Sequence, residues 1–384
     1  MGFISSLIFF LLLASSFLQY DFIQLVQAKP RKAKASQVPL GNKVSFTLSL
    51  PLRNEAELDQ LLIDLYNPAH SLYKKFLNPQ EFAAKFGPSD TQVAQVKSLL
   101  ESSGMTFKAK SENNILLEFE GTAQKINECF NVTMNYYYDS ESNQELYSTA
   151  TTFMAPDATP SLPEGSLAVF GLDHSKKRKH HSTFALKNKQ RSLISGLRPF
   201  DVKTIYQIPF EYTGKDEIIA LVEFDNFVDS DIIAYANTFG ISNPNYQRIY
   251  CGNNPPVVPG SGRNEVTLDI QLVLGIVPNA KVLVYIAPNT GDGDITIYNQ
   301  IAIDNLASVV STSWGEDEID SQSSILYTEN NIFKQMAAQG QSMFTSSGDG
   351  GAFGKPNSKQ LVVSDPASQP FVTGVGKSVL RIIV

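Results

Sequence analysis

Three uninterrupted apolar runs constrain this chain more than any other feature: Glu217-Ile-Ile-Ala-Leu-Val-Glu223, Lys281-Val-Leu-Val-Tyr-Ile-Ala287 and Leu306-Ala-Ser-Val-Val-Ser-Thr312. A strand that is apolar on both faces must be covered on both, which parallel sheets achieve by carrying helices in their crossovers. The intervening segments Asp229 to Phe239, Glu265 to Leu274, Asp294 to Asp304 and Gln322 to Gln339 have crossover-helix lengths, and Ser342 to Thr345 reads as a further strand. The spacing therefore predicts a doubly wound α/β parallel sheet over residues 196–384.

The preceding part has a different texture. Val44 to Leu50 alternates like a half-buried strand, and Asn54 opens a helical pattern that runs through Leu62. Ser89 caps a second helix through Val93, Val96 and Leu99, which stops at Gly104. Strands at Met105 to Lys108 and Ile115 to Phe119, then a helix from Ala123 to Phe130, complete a strand-helix-strand-strand-helix-strand order over residues 38–173. That order predicts an α+β, ferredoxin-like domain.

Between the two parts runs His174-Ser-Lys-Lys-Arg-Lys-His-His181, the core of a basic linker over 174–195. Such a run reads as a solvated connection, as a processing site at Lys177, Arg178 and Lys179, or as an arm that binds an acidic surface. The last has a partner at hand. The residues from Ser192 onward carry net charge −9, while those before it carry +2. This balance leaves no footprint for nucleic acid.

Residues 1–28 read as a signal peptide, with an apolar run from Phe3 to Phe17 and small residues at Val26-Gln27-Ala28. No later stretch could span a bilayer. A secreted or acidic-vesicle location follows as an expectation, Asn131-Val132-Thr133 is a sequon whose asparagine would carry glycan, and Cys129 and Cys251 are expected as unpaired buried thiols. A monomer is expected.

All four histidines, His70, His174, His180 and His181, precede the parallel-sheet part, so no Ser-His-Asp or Cys-His arrangement can be assembled within it. Carboxylates are the available acid-base groups. Glu265 and Asp269 stand four apart, on one face of a helix, where like charges repel unless they share a proton. At the carboxyl ends of other strands lie Ser313-Trp314-Gly315, with the single tryptophan, Asp349 within a glycine-rich turn, and Asp294. Taken singly, Trp314 reads equally as core and Asp349 as a helix cap.

Together these residues resemble one family. Glu-x-x-x-Asp at Glu265 and Asp269, Ser-Trp-Gly at Ser313 to Gly315, Ser-Gly-Asp at Ser347 to Asp349, and Asp365-Pro-Ala-Ser368 are similar in order and spacing to the sedolisins, or serine-carboxyl peptidases. Tyr73 to Phe86 resembles their pro-kumamolisin activation domain. The resemblance implies a subtilisin-like catalytic fold and a peptidase zymogen acting in acid on peptide or protein substrates, as an endopeptidase or a tripeptidyl-peptidase, with its own propeptide as partner. It implies Glu265 as general base, Asp269 as its orienting partner, Asp349 as the protonated donor to the oxyanion, and Ser313, Trp314 and Gly315 as the strand that pairs with substrate. The family's nucleophile motif, Gly-Thr-Ser-x-x-x-Pro, does not occur in these 384 residues. The expectation is therefore an incomplete catalytic domain, truncated before the serine and inactive as written. The calcium ion expected of the family would likewise be held by a loop beyond the last residue. A noncatalytic paralogue acting as a binding or inhibitory module is the alternative.

Overall fold

The computed structural model describes residues 36–139, 144–149, 168–174, 178–180, 197–354 and 360–376. The expected signal segment, Lys177 and the closing residues 377–384 lie outside them. The amino-terminal part contains β1 (Ser36–Gln37), β2 (Lys43–Ser49), β3 (Thr106–Lys110), β4 (Leu116–Thr122), β5 (Met134–Asp139), β6 (Gln144–Thr149) and β7 (Ala168–Phe170). Four of these form one antiparallel sheet in the order β3-β4-β2-β7, with helices Glu55–Tyr66, Pro79–Phe86 and Asp90–Ser102 between β2 and β3, and Ala123–Phe130 after β4.

Local sequence explains where these helices begin. The Asn78 side chain accepts from the Glu81 N–H while Glu81 accepts from the Asn78 N–H, and Ser89 and Gln92 repeat the arrangement. Each reciprocal cap is worth about 1 kcal/mol. The inward face of this sheet packs Phe46 on Phe119 at 5.7 Å and on the edge of Phe130 at 5.4 Å.

The second part contains β8 (Lys179–His180), β9 (Ile218–Glu223), β10 (Tyr246–Tyr250), β11 (Lys281–Ile286), β12 (Val309–Thr312), β13 (Trp314–Asp317), β14 (Ser342–Ser346), β15 (Ser364–Asp365) and β16 (Val372–Val375). Six of these make the expected parallel sheet, in the order β10-β11-β9-β12-β14-β16. Its central strands are largely buried, as their apolar composition requires: Val222, Val284 and Ile286 expose no surface. Helices Asp229–Phe239 and Arg263–Ile276 pack as one pair, Gly293–Asp304 and Ser323–Ala338 as another. In the second pair Tyr298 meets Phe333 edge-on at 5.0 Å.

The amino-terminal part docks on that second pair. Leu58, Phe82 and Phe86 join the same buried apolar cluster as Tyr298 and Phe333. Asn113 Nδ2 donates to both Asn299 Oδ1 (2.7 Å) and Gln335 Oε1 (2.8 Å). Lys334 reaches Asp59 at 2.8 Å, and the Leu77 N–H donates to the Ala338 carbonyl at 2.9 Å.

Among the described strands that had no signal in the apolar pattern are β10 and β8. β10 is an edge strand, half-exposed and interrupted by Arg248, so its sequence lacks the two-sided apolar run of its neighbours. β8 exists only through tertiary pairing, since nothing in Lys179-His180 favours a strand. Both cysteines are free, Cys251 buried and Cys129 half-buried. Asn131 is exposed and closes helix Ala123–Phe130 in the left-handed region (φ 52°), a conformation asparagine tolerates. No helix among the described residues is long and apolar enough to cross a membrane.

Candidate active site

Strand β9 ends in Glu223, β12 leads into Ser313, and helix Arg263–Ile276 lies beside them carrying Glu265 in its first turn and Asp269 one turn later. Their side chains meet at the carboxyl end of the parallel sheet. Glu265 is 5 % exposed and Glu223 not exposed at all. The Ser313 hydroxyl donates to Asp269 Oδ1 at 3.0 Å, and the Trp314 indole N–H donates to Glu223 Oε2 at 2.7 Å. Glu265 Oε2, Asp269 Oδ2 and Glu223 Oε1 are buried with no hydrogen-bond donor among the described residues.

Glu223 and Asp269 are two buried carboxyls side by side with few donors, a setting that disfavours ionising both. Burial pushes Asp269 from 3.8 up to about 7, with the Glu265 charge adding to the rise and the Ser313 hydroxyl opposing it. Glu223 is held well above the usual carboxylate range by burial, then by Asp269, against the pull of the Trp314 N–H. Glu223 and Asp269 therefore titrate as a pair rather than singly. Glu223 lies within hydrogen-bonding reach of Asp269, so a proton on one serves both carboxyls.

A further carboxylate fixes the approach to the helix. Asp225 accepts the backbone N–H groups of Gly260 (2.7 Å) and Gly262 (2.6 Å), pinning the loop that enters Arg263–Ile276. A Cβ at Gly262 would lie 2.4 Å from the Trp314 ring, so only glycine lets this loop pass the indole.

Glu265, Asp269, Ser313 and Trp314 are thus brought together, and Gly315 continues the same strand. Trp314 is both core, at 2 % exposure, and a hydrogen-bond donor to the carboxylate group. Asp349 is exposed on the turn that follows β14, the neighbour of β12. Glu223 was absent from the expected site. Its signal is a glutamate that ends an apolar strand, a place where a charged group needs a partner.

Of the three readings of the basic run, the arm on an acidic surface is the one that describes Arg178. Arg178 is not solvated: its side chain is 3 % exposed, held by Asp294, Glu329 and Asp365. Three carboxyls surround the guanidinium in this buried pocket, and burial holds Glu329 well above the usual carboxylate range. Lys179 and His180 pair antiparallel with Gly315 and Trp314, so the linker lies along the strand expected to take substrate. Among the described residues no group of three or more His, Cys, Asp or Glu side chains is arranged to hold a metal ion.

The Pro-kumamolisin activation domain family matches residues 30–168, and the Subtilase family matches residues 239–379. The chain is a relative of the sedolisins. It is 27 % identical over 379 residues to sedolisin of Pseudomonas sp. (strain 101), covering 94 % of this chain and 64 % of that protein. Xanthomonalisin of Xanthomonas sp. (strain T-22) is 26 % identical, with 87 % of this chain and 45 % of that protein covered, and kumamolisin of Bacillus sp. (strain MN-32) is 26 % identical, with 78 % and 56 % covered. This sedolisin relative thus spans between 45 % and 64 % of the length of these three relatives.

Proposed function

We propose that this sedolisin relative is the activation domain and carboxylate-bearing half of a serine-carboxyl peptidase zymogen. The observation that carries the reading is the Glu265–Asp269–Ser313 constellation: a buried carboxylate whose Oε2 has no donor among the described residues, backed by a second carboxyl that burial pushes up to about 7. Such an oxygen is placed to accept a proton from a hydroxyl brought beside it. Glu265 is the general base, Asp269 with Glu223 is the proton-holding pair that orients it, and Asp349 is the acid that donates to the developing oxyanion. Ser313, Trp314 and Gly315 offer strand β13 and its approach to an extended peptide, and Lys179-His180 fills that position in this chain. The strand order β3-β4-β2-β7 supports the ferredoxin-like reading of the activation domain.

A base needs a nucleophile to act on, and no Gly-Thr-Ser-x-x-x-Pro segment occurs in these residues. The covalent step belongs to the protein that joins them to such a serine, and the 384-residue chain alone is expected to hydrolyse no peptide. A secretory route with removal of residues 1–28, glycan at Asn131 and cleavage within Lys177 to Lys179 belong to the same reading. The test is peptide hydrolysis at pH 4 by the product of the complete gene and by its Glu265→Gln variant. A loss of roughly 100-fold or more in the folded variant is expected. Undiminished hydrolysis by Glu265→Gln would remove Glu265 from the reaction.

A further inference from the structure

Resting on the peptidase reading, we propose that the buried pocket of Asp294, Glu329 and Asp365 is a substrate subsite selective for arginine, which Arg178 occupies in cis. Residue 178 is held in two separable ways. Its backbone is read by Asn289, whose Oδ1 accepts the Arg178 N–H at 2.8 Å and whose Nδ2 donates to the Arg178 carbonyl at 2.8 Å. The next two residues pair with β13. None of these contacts depends on which side chain stands at 178, so the track fits any extended peptide.

The side chain is read by the pocket. All three guanidinium nitrogens are used: Nε and Nη2 donate to Asp294 Oδ2 at 3.3 and 3.1 Å, Nη2 donates also to Glu329 Oε1, and Nη1 donates to Asp365 Oδ2 at 2.5 Å and to the Asp365 carbonyl at 3.1 Å. A planar fork matches these acceptors, whereas an ammonium offers one point of charge. Glu329 and Asp365 expose no surface and Asp294 9 %. Once the linker leaves, these carboxyls stand buried without a counter-ion, an arrangement that favours protonation or a cationic replacement. Gln369 Nε2 donates to Asp365 Oδ1 at 2.9 Å and keeps that carboxylate oriented in the absence of Arg178.

The binding test needs no hydrolysis. In the full chain, Arg178→Ala empties the pocket, and ethylguanidinium at millimolar concentration is expected to raise its Tm saturably by several degrees, with ethylammonium giving less than half that shift. The wild type, whose pocket is filled, should not respond, and adding Glu329→Gln and Asp365→Asn should abolish the response. If Arg178→Ala fails to fold alone, its refolding yield with each cation is read instead. No selective rescue in either form overturns the subsite. Hydrolysis by the complete-gene product then separates the two readings. Arginine two positions before the residue facing Trp314 should raise kcat/KM roughly 10-fold or more over leucine. Equal rates overturn the subsite and leave the peptidase standing, whereas no hydrolysis alongside selective cation binding overturns the peptidase reading.

Discussion

Replacing Asp269 with Asn separates the carboxylate group's proton from its shape. In the folded chain Asp269 is raised from 3.8 to about 7 by burial and by the neighbouring Glu265 charge. A group whose folded value is raised contributes stability that is fully present below the unfolded value, here near pH 4, and lost as pH rises through about 7. A rise of that size corresponds to about 4 kcal/mol at 1.36 kcal/mol per unit, an order-of-magnitude figure because Glu223 shares the proton. Asn is close in size, still accepts from the Ser313 hydroxyl, and carries no ionisation. Wild type and Asp269→Asn should therefore differ little at pH 4, and the variant should gain about 3–4 kcal/mol relative to wild type by pH 7.5. Urea unfolding of both proteins at pH 4, 5.5 and 7.5 reads this difference, and groups unaffected by the substitution cancel. Parallel stability curves across that range would show that Asp269 is ionised in the fold and that the shared proton does not exist.

Three further outcomes follow from particular contacts. Trp314 is the single tryptophan and its indole donates to Glu223, so its emission should shift as pH passes through about 7 and stay flat in Asp269→Asn; identical traces would disconnect the indole from the titrating group. Gly262→Ala forces a methyl against the Trp314 ring and should destabilise by about 1–3 kcal/mol, measured by urea unfolding, and a neutral result would mean that the loop has room to move. Asn113→Ala removes one donor shared by two buried acceptors, Asn299 and Gln335, at about 2–3 kcal/mol. Amide exchange should then quicken in helices Glu55–Tyr66 and Pro79–Phe86 while β9 keeps its protection, and uniform quickening would show that the two parts unfold together.

Much of the fold was legible because the periodicities are local. Helix Asp229–Phe239 is found as expected, and Gly293–Asp304 and Ser323–Ala338 to within a residue at each end, because crossover helices between buried strands are bounded by polar turns. Glu265, Asp269 and Ser313 were legible as candidates because a half-chain without histidine leaves carboxylates as its acid-base groups. Glu223 was not, since a glutamate at the end of a strand looks like any polar boundary until the sheet brings Asp269 and Trp314 against it. That Arg178 is the buried member of the basic run was not legible either. Within Lys-Lys-Arg-Lys it is one of four like charges, and nothing in that run distinguishes the guanidinium that is buried.

The sequence by itself determined two layered parts, the burial of the central strands and a run of residues 196–384 whose acid-base groups are carboxyls rather than imidazoles, because apolar periodicity and residue type act over a few neighbouring positions. Only the tertiary structure decided which carboxyls keep a proton and which cation neutralises the rest. Those outcomes depend on distances among Glu223, Asp269 and Trp314, and among Arg178, Asp294, Glu329 and Asp365, residues separated by tens to more than a hundred positions along the chain. In a low-dielectric interior a few ångströms between such groups reverses the sign of a charge's stability, and the fold sets those ångströms.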